Sequence, residues 1–183
     1  MKRTLLATLS TLLAIGSAIS ASAAPAIKVD CNRGGSISAT LAHLAQIGSA
    51  RGITILVSGT CNENITISGF DHLMLKAGPQ GATLQDSSGG NAAVVFIVNS
   101  YDVMLQGFAV SGVQLGVNCA QATFCTLNSN TVQGAGNAGV IVIGSRALLT
   151  NNNISHNGGD GTRAQFGGSV ETSGNSISNN GGG

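Results

Sequence analysis

The sequence predicts an all-β fold: a parallel β-solenoid of about six coils behind one capping helix. Three observations lead there. Four segments repeat one pattern: Val103-x-Leu105-x-x-Phe108-x-Val110, Cys125-x-Leu127-x-x-Asn130-x-Val132, Ala147-x-Leu149-x-x-Asn152-x-Ile154 and Val170-x-Thr172-x-x-Asn175-x-Ile177. They recur at a period of about 22 residues, which marks stacked repeats. Within each segment apolar residues alternate, so the local unit is a strand. Glycine reaches 27 residues and asparagine recurs throughout; both tolerate the positive φ that tight corners require.

The chain opens with Met1-Lys2-Arg3, then an apolar run from Leu5 to Ile19, then Ala21-Ser22-Ala23 ahead of Ala24-Pro25. A positive start, a short apolar stretch and a small-x-small site are the pattern of a secretory signal peptide over residues 1–23. The alternative is an uncleaved anchor, although the run is short for a bilayer span of about 20 residues. The expectation is an exported protein, periplasmic or extracellular. Without Lys2 and Arg3 the rest carries 6 basic and 7 acidic residues. No basic stripe exists, which argues against nucleic acid as a partner.

Residues 24–52 read as a lead-in and a cap. Asp30-Cys31-Asn32-Arg33-Gly34-Gly35 is a turn, and Ser36 caps a helix running to about Ile47. Ile37, Leu41, Leu44 and Ile47 form its apolar stripe, and Gly48 stops it. Such a helix would cover the open first coil. His43 lies off the stripe and reads as a solvated helix residue.

The solenoid follows over residues 53–183. Ile53 to Val57 is a strand by its β-branched content, Gly59 to Asn64 turns the chain, and Ile65 to Ile67 is the next strand. His72 to Lys76 matches Asp102 to Gln106, but the interval between them is longer than the regular period. A turn at Gly78-Pro79-Gln80-Gly81 and a loop at Ser87 to Asn91 would absorb the extra length. Within that loop only Asp86 carries chemistry. Ala92 to Val98 reads as a strand packed inside.

Four inward columns follow from the repeat. Val103, Cys125, Ala147 and Val170 form one; Leu105, Leu127, Leu149 and Thr172 another; Val110, Val132, Ile154 and Ile177 a third. The fourth holds Phe108 followed by Asn130, Asn152 and Asn175, three amides in register. An amide ladder would satisfy groups that cost about 1–3 kcal/mol each when buried unpaired. The alternative is surface asparagine in turns.

Four cysteines in an exported chain imply two disulfides. Three pairings are open; four free thiols are the alternative. Cys125 sits in an inward column, and the position one period before Cys119 is the apolar Ile97. That favours Cys119–Cys125 across one corner, with Cys31–Cys61 tying the lead-in to the first coil.

Taken together, the segments Leu127-Asn-Ser-Asn-Thr-Val-Gln-Gly134, Leu149-Thr-Asn-Asn-Asn-Ile-Ser-His156 and Thr172-Ser-Gly-Asn-Ser-Ile-Ser-Asn179, with the helix from Ser36 to Ile47, resemble a right-handed parallel β-helix of the pectate-lyase-like superfamily. The resemblance spans about Asp30 to Gly183. It implies right-handed coils, stacked aliphatics, asparagine ladders and an amino-terminal cap. It does not imply one activity, because this fold hosts lyases, hydrolases, adhesins and tail spikes.

Candidate chemistry is sparse. A lyase would need a basic residue beside carboxylates that hold calcium, and a hydrolase would need paired carboxylates. The acids after residue 23 are Asp30, Asp71, Asp86, Asp102, Asp160, Glu63 and Glu171, and no two are adjacent or one residue apart. Asp71 and Asp102 precede equivalent strands, which fits a turn role. His156, Asp160 and Arg163 are the best ionisable cluster and the weak catalytic candidates, read as lying in a glycine-rich turn. No zinc pattern, phosphate loop or Gly-x-Ser-x-Gly elbow is present. The sequence therefore points to no metal and no cofactor. With no Trp and only Tyr101, a strong sugar-stacking platform is not expected.

Gly181-Gly182-Gly183 falls where another coil would begin. The expectation is a chain truncated from a longer β-helix, or an end that meets a partner or a second copy. The functional expectation is an exported structural or glycan-contacting module without catalysis. The alternative is a fragment of a polysaccharide lyase or glycoside hydrolase.

Overall fold

The computed structural model describes residues 26–182. The predicted signal peptide lies outside the described residues. The strands are β1 Ile27–Asp30, β2 Arg51–Asn62, β3 Ile65–Ser68, β4 Asp71–Gln85, β5 Ala93–Val98, β6 Val103–Gln106, β7 Phe108–Ser111 and β8 Leu115–Ala120. They continue as β9 Phe124–Asn128, β10 Thr131–Gln133, β11 Ala138–Ile143, β12 Arg146–Thr150, β13 Asn153–Ser155, β14 Asp160–Gln165, β15 Ser169–Ser173 and β16 Ser176–Ser178. Among the described residues one α-helix, α1, spans Ile37–Gln46.

All pairing is parallel, and it winds the chain into about six coils. One large sheet carries two faces of the coil and holds β1, β2, β4 and the pairs β6/β7, β9/β10, β12/β13 and β15/β16. A second sheet, in the order β14-β11-β8-β5-β3, forms the remaining face. This is a parallel β-solenoid, as the repeat predicts.

Register confirms that residues one period apart lie over one another. Val110 pairs with Val132, Val132 with Ile154, and Ile154 with Ile177. Leu75, Leu105, Leu127, Leu149 and Thr172 form another column. Every aliphatic of these two columns is buried except Ile177, which is 46% exposed in the last coil. In the second sheet Ile67, Ile97, Cys119 and Val142 stack in the same way. Together these columns form one continuous dry core, the main stabilising term of a stacked-repeat fold.

Three elements differ from the sequence reading. Gly78 to Gly81 is not a turn. Strand β4 runs straight through it beside β2, with a register shift between Val57 and Gly59 that sets residues 78–81 opposite Ser58. A bulge of this kind absorbs extra residues without breaking the ladder. Asp160 to Gln165 is strand β14 and not a turn; pairing with β11 overrides its glycine-rich, polar sequence. Ile47 lies at the end of α1 and is 58% exposed, whereas Ile37, Leu41 and Leu44 are buried.

The helix begins where its unpaired N–H groups are met. Ser36 Oγ accepts from Ala39 N at 3.1 Å. Glu63, from the first coil, accepts from Ile37 N at 2.7 Å, Ser38 N at 3.1 Å and Ser36 Oγ at 2.9 Å. A carboxylate at a helix N-terminus is favoured by both the orphan donors and the dipole. Gly48, at φ 70°, ends the helix. Cys31–Cys61 ties the segment before α1 to β2.

Candidate functional site

Each coil turns three corners, and each corner carries its own internal ladder. At the first, Phe108 N donates to Asn130 Oδ1 at 3.0 Å, Asn130 N to Asn152 Oδ1 at 2.9 Å, and Asn152 N to Asn175 Oδ1 at 2.8 Å. The second ladder went unseen in the sequence. Ala135 N donates to Asn157 Oδ1 at 3.0 Å and Asn157 N to Asn180 Oδ1 at 3.1 Å. Its signal was available, since Asn157 and Asn180 are one period apart and each precedes a glycine.

The third corner uses hydroxyls in place of amides. Phe70 N donates to Ser100 Oγ at 3.2 Å, Ser100 N to Thr123 Oγ1 at 3.4 Å and Thr123 N to Ser145 Oγ at 3.2 Å. The buried Cys119–Cys125 disulfide crosses this corner. With both the backbone and the core fixed, the side chains outside this corner stand in a row.

That row is the candidate site. Tyr101 is 60% exposed, and its ring centroid lies 6.1 Å from that of Phe124 in the next coil. Arg146, one coil further, places Cζ 5.9 Å from the Phe124 centroid, within cation–π range, and is paired with Glu171. Tyr101, Thr123, Phe124, Ser145 and Arg146 line an open groove of about 460 Å³. The sequence offered no expectation of a strong platform from Tyr101 alone. The structure supplies a partner ring, Phe124, which the repeat places above Arg146.

The upper rim is charged. His72 lies 6.1 Å from the Tyr101 ring, donates from Nδ1 to Asp71 Oδ1 and sets Nε2 3.5 Å from Asp102 Oδ2. Asp71 also accepts a salt bridge from Arg51 Nε at 2.9 Å. The sequence placed Asp71 and Asp102 at equivalent corners; the structure puts an imidazole between them. His72 and Asp102 adopt left-handed backbone, at φ 57° and 52°, a conformation found at corners and functional sites.

The other sequence candidates lie elsewhere. Asp160 and Arg163 form an ion pair at 3.2 Å on β14, and Arg163 Nε is buried without a partner. His156 is exposed on the preceding corner at φ 56°, in line with Gly134 and Asn179; no side-chain hydrogen bond joins it to Asp160 or Arg163 among the described residues. Asp86 organises its own loop, accepting from Ser88 Oγ at 2.6 Å, Asn64 Nδ2 at 2.7 Å and Gly90 N at 2.7 Å. The Ser88 hydroxyl leads the bonds that hold its carboxyl down to about 2. Cys31, Cys61 and Glu63 bring three potential metal ligands within 4.8 Å of one another. Both sulfurs are in a disulfide and Glu63 caps α1, so this set is already committed.

Residues 111–183 match a family model described as the right handed beta helix region. No curated protein and no solved structure matches the chain. With parallel coils from β2 to β16 and that match across the later coils, this chain is a parallel β-helix protein.

Proposed function

We propose that this β-helix is an exported surface module that contacts a glycan at the Tyr101–Phe124–Arg146 corner and does not transform it. The observation that carries the reading is the exposed Tyr101 ring 6.1 Å from the half-buried Phe124 ring, beside the Arg146 side chain in one groove. Sugars are recognised in this way, with ring C–H faces on aromatic side chains and hydroxyls on polar groups. The signal-like start and the two disulfides support export, and no helix among the described residues is long and apolar enough to cross a membrane.

A second reading, polysaccharide hydrolysis or elimination, is favoured by one observation: the His72 imidazole bracketed by Asp71 and Asp102. Both readings are tested on the same material. A glycan array followed by titration of Y101A reads binding. Polysaccharide turnover with and without calcium reads chemistry, and loss of turnover in D71N or D102N would replace the first reading by the second. A wild-type protein that binds no glycan on the array leaves the structural role alone.

A further inference from the structure

Phe166 is the least explained side chain in the molecule. It is 85% exposed and sits in left-handed backbone at φ 50°. Its counterpart one coil earlier is Gly144, at φ 55°, aligned through the Ile143–Gln165 pair and by the Gly144 N to Gln165 O bond of 3.1 Å. Left-handed backbone is common to this corner, which holds Asn99 at φ 47° and Gln121 at φ 57° in earlier coils, and a Cβ there crowds the backbone carbonyl. A bulky aromatic bears that cost, and at this exposure it regains almost nothing by burial. Neither backbone nor packing selects phenylalanine.

The groove does offer a reason. Gly167 and Ser169, directly after Phe166, line it together with Tyr101, Phe124 and Arg146. Tyr101 directly follows Ser100, which sits over Thr123 and Ser145 in the hydroxyl ladder, and the Phe166 turn lies one coil beyond Ser145. The separation is three coil steps, about 14 Å at the usual strand spacing, the reach of a short oligosaccharide along the coil axis. The charges on that flank are Arg51, Asp71, His72, Asp102, Arg146 and Glu171. Both arginines are already paired with carboxylates, so among the described residues no free cation faces the groove to receive an acidic sugar. Strain at an exposed aromatic is an outlier that points to function.

We infer that Phe166 is a recognition residue, the far stacking surface for an uncharged glycan chain whose other end lies on Tyr101 and Phe124. The inference rests on the glycan-contact reading and names its ligand class. A purely structural residue would lose stability on replacement; Phe166 is expected to give the opposite sign.

The test is calorimetric titration and thermal melting of the whole chain as wild type, F166G, F166N and Y101A. The probes are uncharged glucan and mannan oligosaccharides and an oligogalacturonate. F166G and F166N are expected to melt at or above wild type and to bind the uncharged probe about ten-fold more weakly, with oligogalacturonate not bound. Unchanged binding in F166G alongside weakened binding in Y101A overturns the role of Phe166 and leaves the groove reading standing. A lower melting temperature in F166G makes it a packing residue and also overturns the inference. Preference for oligogalacturonate overturns the uncharged class, and a wild type that binds none of the probes removes the reading beneath both.

Discussion

The backbone N–H and the side-chain Nδ2 of Asn130 both donate to one atom, Oδ1 of Asn152, at 2.9 and 3.1 Å. Asn152 in turn donates from Nδ2 to Leu127 O at 2.8 Å, and from its backbone N and Nδ2 to Oδ1 of Asn175. Both Asn130 and Asn152 are 2% exposed, so water cannot replace a lost partner. N152L orphans the Asn130 backbone N–H, leaves Asn130 Nδ2 with Leu105 O alone at 2.9 Å and takes the amide donor from the Leu127 carbonyl. At about 1–3 kcal/mol for an orphaned group, and with partial relaxation, a loss of about 3 kcal/mol in denaturant unfolding is expected. N175L, in the half-buried last coil, is expected to lose less. Equal losses at the two positions would show that the ladder does not act through burial.

A column of glycines is required by its neighbours. A Cβ on Gly139 would meet Asn157 Nδ2 at 2.7 Å, Gly161 O at 2.8 Å and Ile154 Cγ2 at 2.8 Å; on Gly116 it would meet Gly139 O at 2.5 Å. Part of that obstruction is backbone and cannot swing away. G139A is expected to cost about 2 kcal/mol, within the range for overpacking. At Gly48, where a Cβ meets nothing within 4 Å, alanine is strained only through its φ of 70° and is expected to cost about 1 kcal/mol. Melting curves of the two variants separate crowding from backbone strain.

The cap on α1 makes stability pH-dependent. Burial alone would raise the Glu63 pKa, but the hydrogen bonds from Ser38, Ile37 and Ser36 outweigh it and hold the carboxyl below its ordinary value. The folded pKa is therefore lower than the unfolded one. The stabilisation is complete above the unfolded value of about 4.3 and disappears as pH falls through the folded value. Against E63Q, wild type is expected to gain about 1 kcal/mol at neutral pH, and the gap should close under acid. Asp86, held at about 2 by the Ser88 hydroxyl first, has the same sign over a window from about 4 down to about 2. A gap that stays constant from pH 7 to pH 2 would refute the assignment for Glu63.

The two disulfides are expected to contribute unequally. Cys31–Cys61 closes a separation of 30 residues and Cys119–Cys125 one of 6. In the chain-entropy account these are worth about 4 and about 2 kcal/mol. Denaturation of C31A/C61A and C119A/C125A measures each. A larger loss for the second pair would mean that filling the core between the two sheets, and not loop closure, is what Cys119 and Cys125 supply.

At the groove, Arg146 is held by Glu171 and lies over Phe124. E171Q releases it without removing a ring. Stability should change by less than about 1 kcal/mol, because the pair is exposed, whereas glycan affinity should fall several-fold if the guanidinium must be held over Phe124. A drop in affinity for F124A with none for E171Q would assign recognition to the ring alone.

The coil was legible in the amino-acid order alone. Residues at a fixed spacing stack, aliphatics at alternating positions face inward, and in-register Asn130, Asn152 and Asn175 bond to one another. Each of these follows from local periodicity and needs no knowledge of distant contacts. Cys119 with Cys125 was legible for the same reason, as both fall in inward columns on either side of one corner.

Folding in three dimensions settled what the periodic pattern does not encode. Strand β14 exists because β11 offers it a pairing edge, so Asp160 and Arg163 sit on a sheet and His156 on the corner before it. Glu63 caps a helix 25 to 27 residues earlier in the chain, a contact that only the closing of the first coil creates. Tyr101, Phe124 and Arg146 differ in type and share no motif. They form one surface because parallel stacking converts a full sequence period into a single strand spacing, and side chains pointing outward carry no hydrophobic signature to announce it.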